Sequence, residues 1–164
     1  MLLPYSINFP PPRSLKSVNS NTHIITMATF NTSYLLARLA VGTSLFGHGL
    51  VRLPKLERFS QGMATQFQHS IIPGSMVVAF AYVLPFVEFG TGLLLLLGLF
   101  TRQALIAGVL LMICLIFGTT TIEQWDIISL QLFHILFLVG LLIFVEQYNG
   151  YSLDHVVRPI ARQS

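Results

Sequence analysis

A chain of 164 residues in which 54% are hydrophobic and 9% charged is not an ordinary soluble domain, where about a quarter of residues carry charge. A core of this size could not hide so much apolar surface from water, so the chain reads as one all-α integral membrane domain in contact with the lipid bilayer. The net charge of +3 comes from Lys and Arg at the ends of apolar runs, with no basic cluster or recognition fold, which excludes nucleic acid as a partner and points to lipid headgroups. The single cysteine, Cys114, lies inside an apolar run and excludes an internal disulfide or a CxxC redox pair.

Residues 1–30 read as a disordered polar extension, with PPPR at Pro10–Arg13 followed by small polar residues and no apolar core long enough for a signal peptide. Met27 opens MATFNTSYLLARLAVG, which reads as an ordinary start of a membrane protein, so translation is expected to begin there; the intact mass of the native protein checks this. Residues 31–150 form the four-span membrane domain, and residues 151–164 a short polar tail.

The first span covers about Ser33–Val51, ~28 Å of helix, enough to cross a bilayer. Ala40 with Ser44, and Thr43 with Gly47, make small-xxx-small pairs that let a neighbouring helix come close. The segment Leu53–Ser75 is too polar to span. Leu53, Leu56, Phe59, Met63, Phe67 and Ile71 nevertheless recur at helical spacing, which predicts an amphipathic helix lying in the interface or capping the bundle, ended by Pro73-Gly74. The second span, Met76 to about Gly98, contains Pro85, which predicts a kink. The very short turn to Arg102 makes spans two and three a tight antiparallel pair. The third span ends near Gly118, and a polar connector holding Trp125 leads to the fourth, about Ile127–Val145.

Four spans put both termini on one side, with Arg13, Lys16, Arg38, Arg102, Arg158 and Arg162. Opposite lie Arg52, Lys55 and Arg58, offset by Glu57, Glu123 and Asp126. The Lys and Arg excess predicts cytoplasmic termini.

A charge near the bilayer centre costs ~3 kcal/mol even on lenient scales, so Glu88, Arg38, His48, Gln131 and His134 are the candidate site residues. Measured along the spans from the terminal side, Arg38 lies ~8 Å deep and Glu88 ~15 Å deep. An Arg38–Glu88 ion pair is therefore within reach if spans one and two are neighbours, and it would keep the carboxylate ionised. His48 at ~22 Å and His134 at ~20 Å share a level about one turn from Glu88, and Gln131 shares the face of His134. A polar cluster of Glu88, His48, Gln131 and His134 with Arg38 above it follows if these faces point inward. At 100° per residue, Arg38, Gly42, Leu45, Gly49 and Arg52 form one stripe, and His48 sits ~80° away. No HxxxH or HxxE spacing marks a metal site, and no haem motif or nucleotide fingerprint identifies a cofactor.

The segments ARLAVGTSLFGHGLVRL and PFVEFGTGLLLLLGLFTR, the polar connector and the fourth span resemble the DoxX family over about Tyr34–Asp154. That family comprises small four-span bacterial membrane proteins related to the DoxD-type subunit of thiosulfate:quinone oxidoreductase. Glu88, Gly90, Gly92, Gly98 and Arg102 carry the most specific part of the likeness, and Arg38 and Gly49 match the first-span pattern. The resemblance implies a multi-pass protein of the bacterial inner (plasma) membrane that serves a quinone-linked redox system with a redox protein partner. In that reading Glu88 handles the proton of quinone reduction, with Arg38 as its ion-pair partner and His48, Gln131 and His134 around the quinone. The rival reading is a non-catalytic membrane scaffold or assembly factor, in which Glu88 and its partner are structural. Transport by a monomer fits less well, because four spans show no broken inverted repeat.

Overall fold

Apolar runs bounded by Pro73-Gly74, by Gly98 and by the polar connector before Trp125 become helices that begin or end at those residues. The computed structural model describes residues 19–161, with side chains over residues 26–157. Its helices are α1 (Asn19–Arg52), α2 (Leu56–Gln66), α3 (Gly74–Leu97), α4 (Thr101–Thr120), α5 (Trp125–Tyr148) and α6 (Leu153–Ala161), with a 3-10 turn at Leu53–Lys55 joining α1 to α2. Four of them, α1, α3, α4 and α5, are long and apolar enough to cross a membrane. In hydrocarbon only helices or closed barrels satisfy every backbone N–H and C=O, so these runs have no competing conformation.

The four long helices close a ring in which α1 packs on α3, α3 on α4, α4 on α5 and α5 on α1, while α2 lies against α3. The core includes Val41, Leu45, Leu84, Leu95, Leu105 and Leu138. Large apolar side chains such as Leu110, Phe117, Phe133 and Leu136 point outward, the reverse of a soluble bundle and the arrangement lipid favours.

The closest pair is α1 with α3, and glycine permits it. A Cβ on Gly49 would meet the Phe89 backbone and lie 2.6 Å from the Pro85 carbonyl oxygen; one on Gly92 would strike the Phe46 backbone. The stripe Arg38–Gly42–Leu45–Gly49–Arg52 is thus the face α1 turns to α3. The Thr43–Gly47 pair is not a packing face, since nothing lies within 4 Å of a Cβ on Gly47. Ala40 and Ser44 look toward α5 across a groove that also holds Phe133 and Phe137.

Helix occupies part of the extension expected at residues 1–30 and part of the tail expected at residues 151–164. α1 reaches back to Asn19, because no Pro or Gly interrupts residues 19–41 and extending a packed helix adds one hydrogen bond per residue fixed. Pro10–Arg13 lies outside the described residues. In the tail, α6 forms and its first turn is tied to the rest of the molecule: Asp154 N donates to the Gly98 carbonyl at 2.9 Å. The amphipathic segment is also shorter than expected. α2 stops at Gln66, so Leu56, Phe59, Met63 and Phe67 are half-buried on its inner side while Ile71 lies beyond the helix and is 84% exposed. α3 runs unbroken through the buried Pro85.

At the α3–α4 turn, Gly98 takes φ +65°, a conformation that suits glycine, and Leu99 N bonds the Leu94 carbonyl at 3.0 Å to close the helix end. The next helix has no local cap. Its first N–H groups, Phe100 and Thr101, donate to the Asp154 carboxylate at 2.6 and 2.8 Å, so a residue from the far end of the chain neutralises the positive end of α4.

A paired carboxylate at the wall of an apolar cavity

Glu88 is 2% exposed, near the middle of α3 and one turn beyond Pro85. A carboxylate this deep needs a partner, and its partner is Arg52, whose Nη1 lies 2.6 Å from both carboxylate oxygens. The expected Arg38–Glu88 pair does not form. The α1–α3 register sets Arg38 against Gly98, where a glycine Cβ would fall on the guanidinium, and brings Arg52 to Glu88. The depth comparison failed because it counted α1 from Ser33, whereas the helix begins at Asn19, passes Gly98 at Arg38 and ends opposite Glu88. Arg52 read as a headgroup-facing residue by its place at the end of a span. Its membership of the Arg38–Gly49 stripe was the signal that it faces α3.

Arg38, also 2% exposed, has a different task. Its Nη1 donates to Asn149 Oδ1 at 2.6 Å and its Nη2 to the Tyr151 carbonyl at 2.9 Å, and Asn149 Nδ2 donates in turn to Thr101 Oγ1 at 3.1 Å. With Asp154 on the α4 N-terminus, these bonds staple α1, the α3–α4 turn and the α5–α6 loop together. Neutral oxygens satisfy most of this guanidinium. Its Nε has no partner among the described residues, and no carboxylate lies within salt-bridge distance.

The two histidines approach each other as their depths predict, with ring centroids 6.4 Å apart. His134 Nδ1–H donates to the Leu130 carbonyl at 3.0 Å, which leaves Nε2 of the neutral ring to accept the Ser44 hydroxyl at 3.0 Å. One turn earlier, Gln131 Oε1 accepts from the Thr119 hydroxyl at 2.9 Å. Ser44 belongs to this network although its sequence signal was only that of a small packing residue.

Glu88, Arg52, His48, Gln131 and His134 all line one cavity of about 980 Å³, and Arg38 does not. The volume is that of a typical ligand pocket. Leu45 of α1, Phe59 and Met63 of α2 and Phe67 just beyond it form part of the wall, with Phe80 and Leu84 of α3 and Met112 of α4. Its lining includes the exposed Ile71, Met76, Ile113, Phe117 and Leu130, so the cavity reaches the surface of the molecule among apolar side chains. Arg52 also lies under the Phe59 ring, 4.9 Å from its centroid, joining the ion pair to α2. The arrangement suits an amphipathic molecule: an apolar chamber for its body, and at one end a carboxylate, a guanidinium and two imidazoles for a polar head. Among the described residues no three His, Cys, Asp or Glu side chains come together to hold a metal.

Comparison with known proteins adds the family. No curated protein and no solved structure matches the chain. The family model described as DoxX matches residues 33–122, from the first turns of the packed part of α1 through the end of α4, including Arg38, Arg52, Glu88 and the α3–α4 turn. The chain, a multi-pass membrane protein with a half-buried ion pair between its first two spans, belongs to the DoxX family.

Proposed function

We propose that this chain is the membrane subunit of a quinone-linked redox system and that the cavity takes the quinone. The observation that carries this reading is the gathering of Arg52–Glu88, His48 and His134 at one end of an otherwise apolar chamber. The donor set fits. A quinone head presents two carbonyl oxygens that need hydrogen-bond donors, and Arg52 and His48 supply them; its tail needs an apolar wall that reaches lipid, which Leu45, Phe80, Met112 and Phe117 provide. A bound quinone would supply two-electron, two-proton chemistry, with electrons from a redox protein partner and both protons drawn from water by way of Glu88. Glu88 is the proton carrier nearest the head, and Arg52 holds its carboxylate in place. The Ser44 hydroxyl fixes the His134 ring with Nε2 as acceptor.

Glu88→Gln is expected to lower quinone-dependent electron transfer by about 10²-fold or more while the protein still folds, as for loss of a positioned proton carrier. Unchanged transfer would remove Glu88 from this role. The rival reading, a scaffold or assembly factor, draws support from the same ion pair, since both Glu88 oxygens are satisfied within the bundle. Purification in mild detergent with identification of bound lipids and co-purifying proteins separates the two: quinone in the extract supports the first, a partner enzyme without quinone the second.

In the same reading the protein sits in the bacterial inner membrane with both termini in the cytoplasm, and α2 lies along the opposite surface with Lys55 and Arg58 exposed toward headgroups. A reporter fused at Ser164 that is active only outside the cytoplasm overturns the orientation.

A further inference from the structure

We propose that α2 is the lid of this cavity, and that Arg52 is the positioning residue that holds it shut by sharing its guanidinium between Glu88 and the Phe59 ring. The proposal rests on the reading of the cavity as a ligand site and concerns how that site opens.

α2 is built to move as a unit. It is 11 residues long and Ser60 is its one buried residue. It joins α1 through the 3-10 turn Leu53–Lys55, which contains Pro54, and no side chain caps either this turn or the start of α2. A short 3-10 stretch between two helices is a common hinge. At its other end α2 leads into the turns at residues 67–73. Between hinge and turns it supplies Phe59, Met63, Gln66 and Phe67 to the cavity wall.

α2 also packs on α3, with Phe59 and Met63 against the core, and three further contacts hold it closed. Phe59 covers Arg52 with the guanidinium 4.9 Å below the ring. Phe67 packs over Gly118 of α4, its ring carbons 3.5 Å from where a Cβ would stand. Gln66 Nε2 donates to Gln124 Oε1 at 2.9 Å, an exposed bond between the end of α2 and the α4–α5 connection. The second and third are ordinary surface contacts. The first is tied to the chemistry, because Arg52 stays under Phe59 only while Glu88 anchors it at 2.6 Å. A polar head that competes for Arg52, or a Glu88 that has lost its charge, releases the guanidinium and with it the lid. Ligand exchange is thereby coupled to the state of the carboxylate.

The test reads the lid without reading electron transfer. In full-length protein in lipid nanodiscs, with Cys114→Ser to remove the native thiol, Met112→Cys places a thiol on the buried α4 wall of the cavity. A charged methanethiosulfonate reagent cannot cross the apolar rim from lipid, so its labelling rate reports the open fraction of the lid. Phe59→Leu, which leaves the ion pair intact, is expected to speed labelling about threefold, in line with loss of one cation–π contact. Glu88→Gln is expected to speed it about tenfold. Arg52→Gln should match Glu88→Gln, and Arg52→Lys, which keeps a cation under the ring, should recover most of the slow rate. Equal rates in Phe59→Leu and the parent would overturn the proposal even if Glu88→Gln fails to fold. A short-chain ubiquinone analogue, added to the parent, tests the other reading separately: if it leaves labelling unchanged while Phe59→Leu and Arg52→Gln accelerate it, the lid stands and the quinone assignment falls.

Discussion

Arg38 and Arg52 stand on one stripe of α1, fourteen residues apart (38 to 52) and so ~21 Å along the helix, and they do opposite things. Arg38 is enclosed by Asn149, the Tyr151 carbonyl and the backbone at Gly98, in a closed end where every element of the bundle is tied to its neighbour. Arg52 meets a carboxylate at the wall of a 980 Å³ cavity and lies under Phe59 of α2 on its other face. The same residue type on the same face becomes a staple where its surroundings are neutral and closed, and a site residue where they are charged and open. Burial alone does not separate the two roles; the partner does.

This contrast can be broken at either end, and the largest effect is expected at the open one. Arg52→Ala leaves Glu88 buried without its counter-charge, and thermal unfolding in detergent should show a loss of about 3–5 kcal/mol. The double variant Arg52→Met with Glu88→Met should recover most of that loss, because a buried pair replaced by apolar side chains is close to neutral. If the double variant is as unstable as the single one, the pair does more than satisfy itself. At the closed end, Arg38→Met removes two hydrogen bonds from a charged donor and should cost about 2–3 kcal/mol by the same measurement, with no change in ligand binding. A binding defect there would erase the distinction between the two arginines. Asp154→Ala uncaps α4 and should cost about 1 kcal/mol, seen as faster amide exchange at Phe100 and Thr101. The smallest effect belongs to Ser44→Ala, about 0.5–1 kcal/mol, with His134 retaining its bond to Leu130 while the Nε2 resonance shifts in the nitrogen spectrum.

The fold was legible because lipid simplifies the problem. The second span, expected at Met76 to about Gly98, is α3 at Gly74–Leu97, and the third and fourth agree as closely, since a bilayer demands about twenty apolar residues in a hydrogen-bonded helix and the breakers Pro73, Gly98 and the connector mark its ends. Depth along the spans set four polar residues within a turn or two of one another, but their facing was not legible. Glu88, His48, Gln131 and His134 come together on one cavity because rise per residue places them at one level and an antiparallel ring leaves few ways to arrange them. The partner of Glu88 was not legible from depth, because depth counted from a guessed helix start carries an error of several residues, enough to exchange one arginine for another.

By itself, then, the sequence determined the class and the number of spans, because each follows from local hydrophobicity and helix geometry. Only the tertiary structure decided which arginine pairs with Glu88, that Asp154 caps a helix more than fifty residues away, and that α2 walls a cavity. Those outcomes depend on the register of α1 against α3, and that register is set by where Gly49 and Gly92 let two backbones touch.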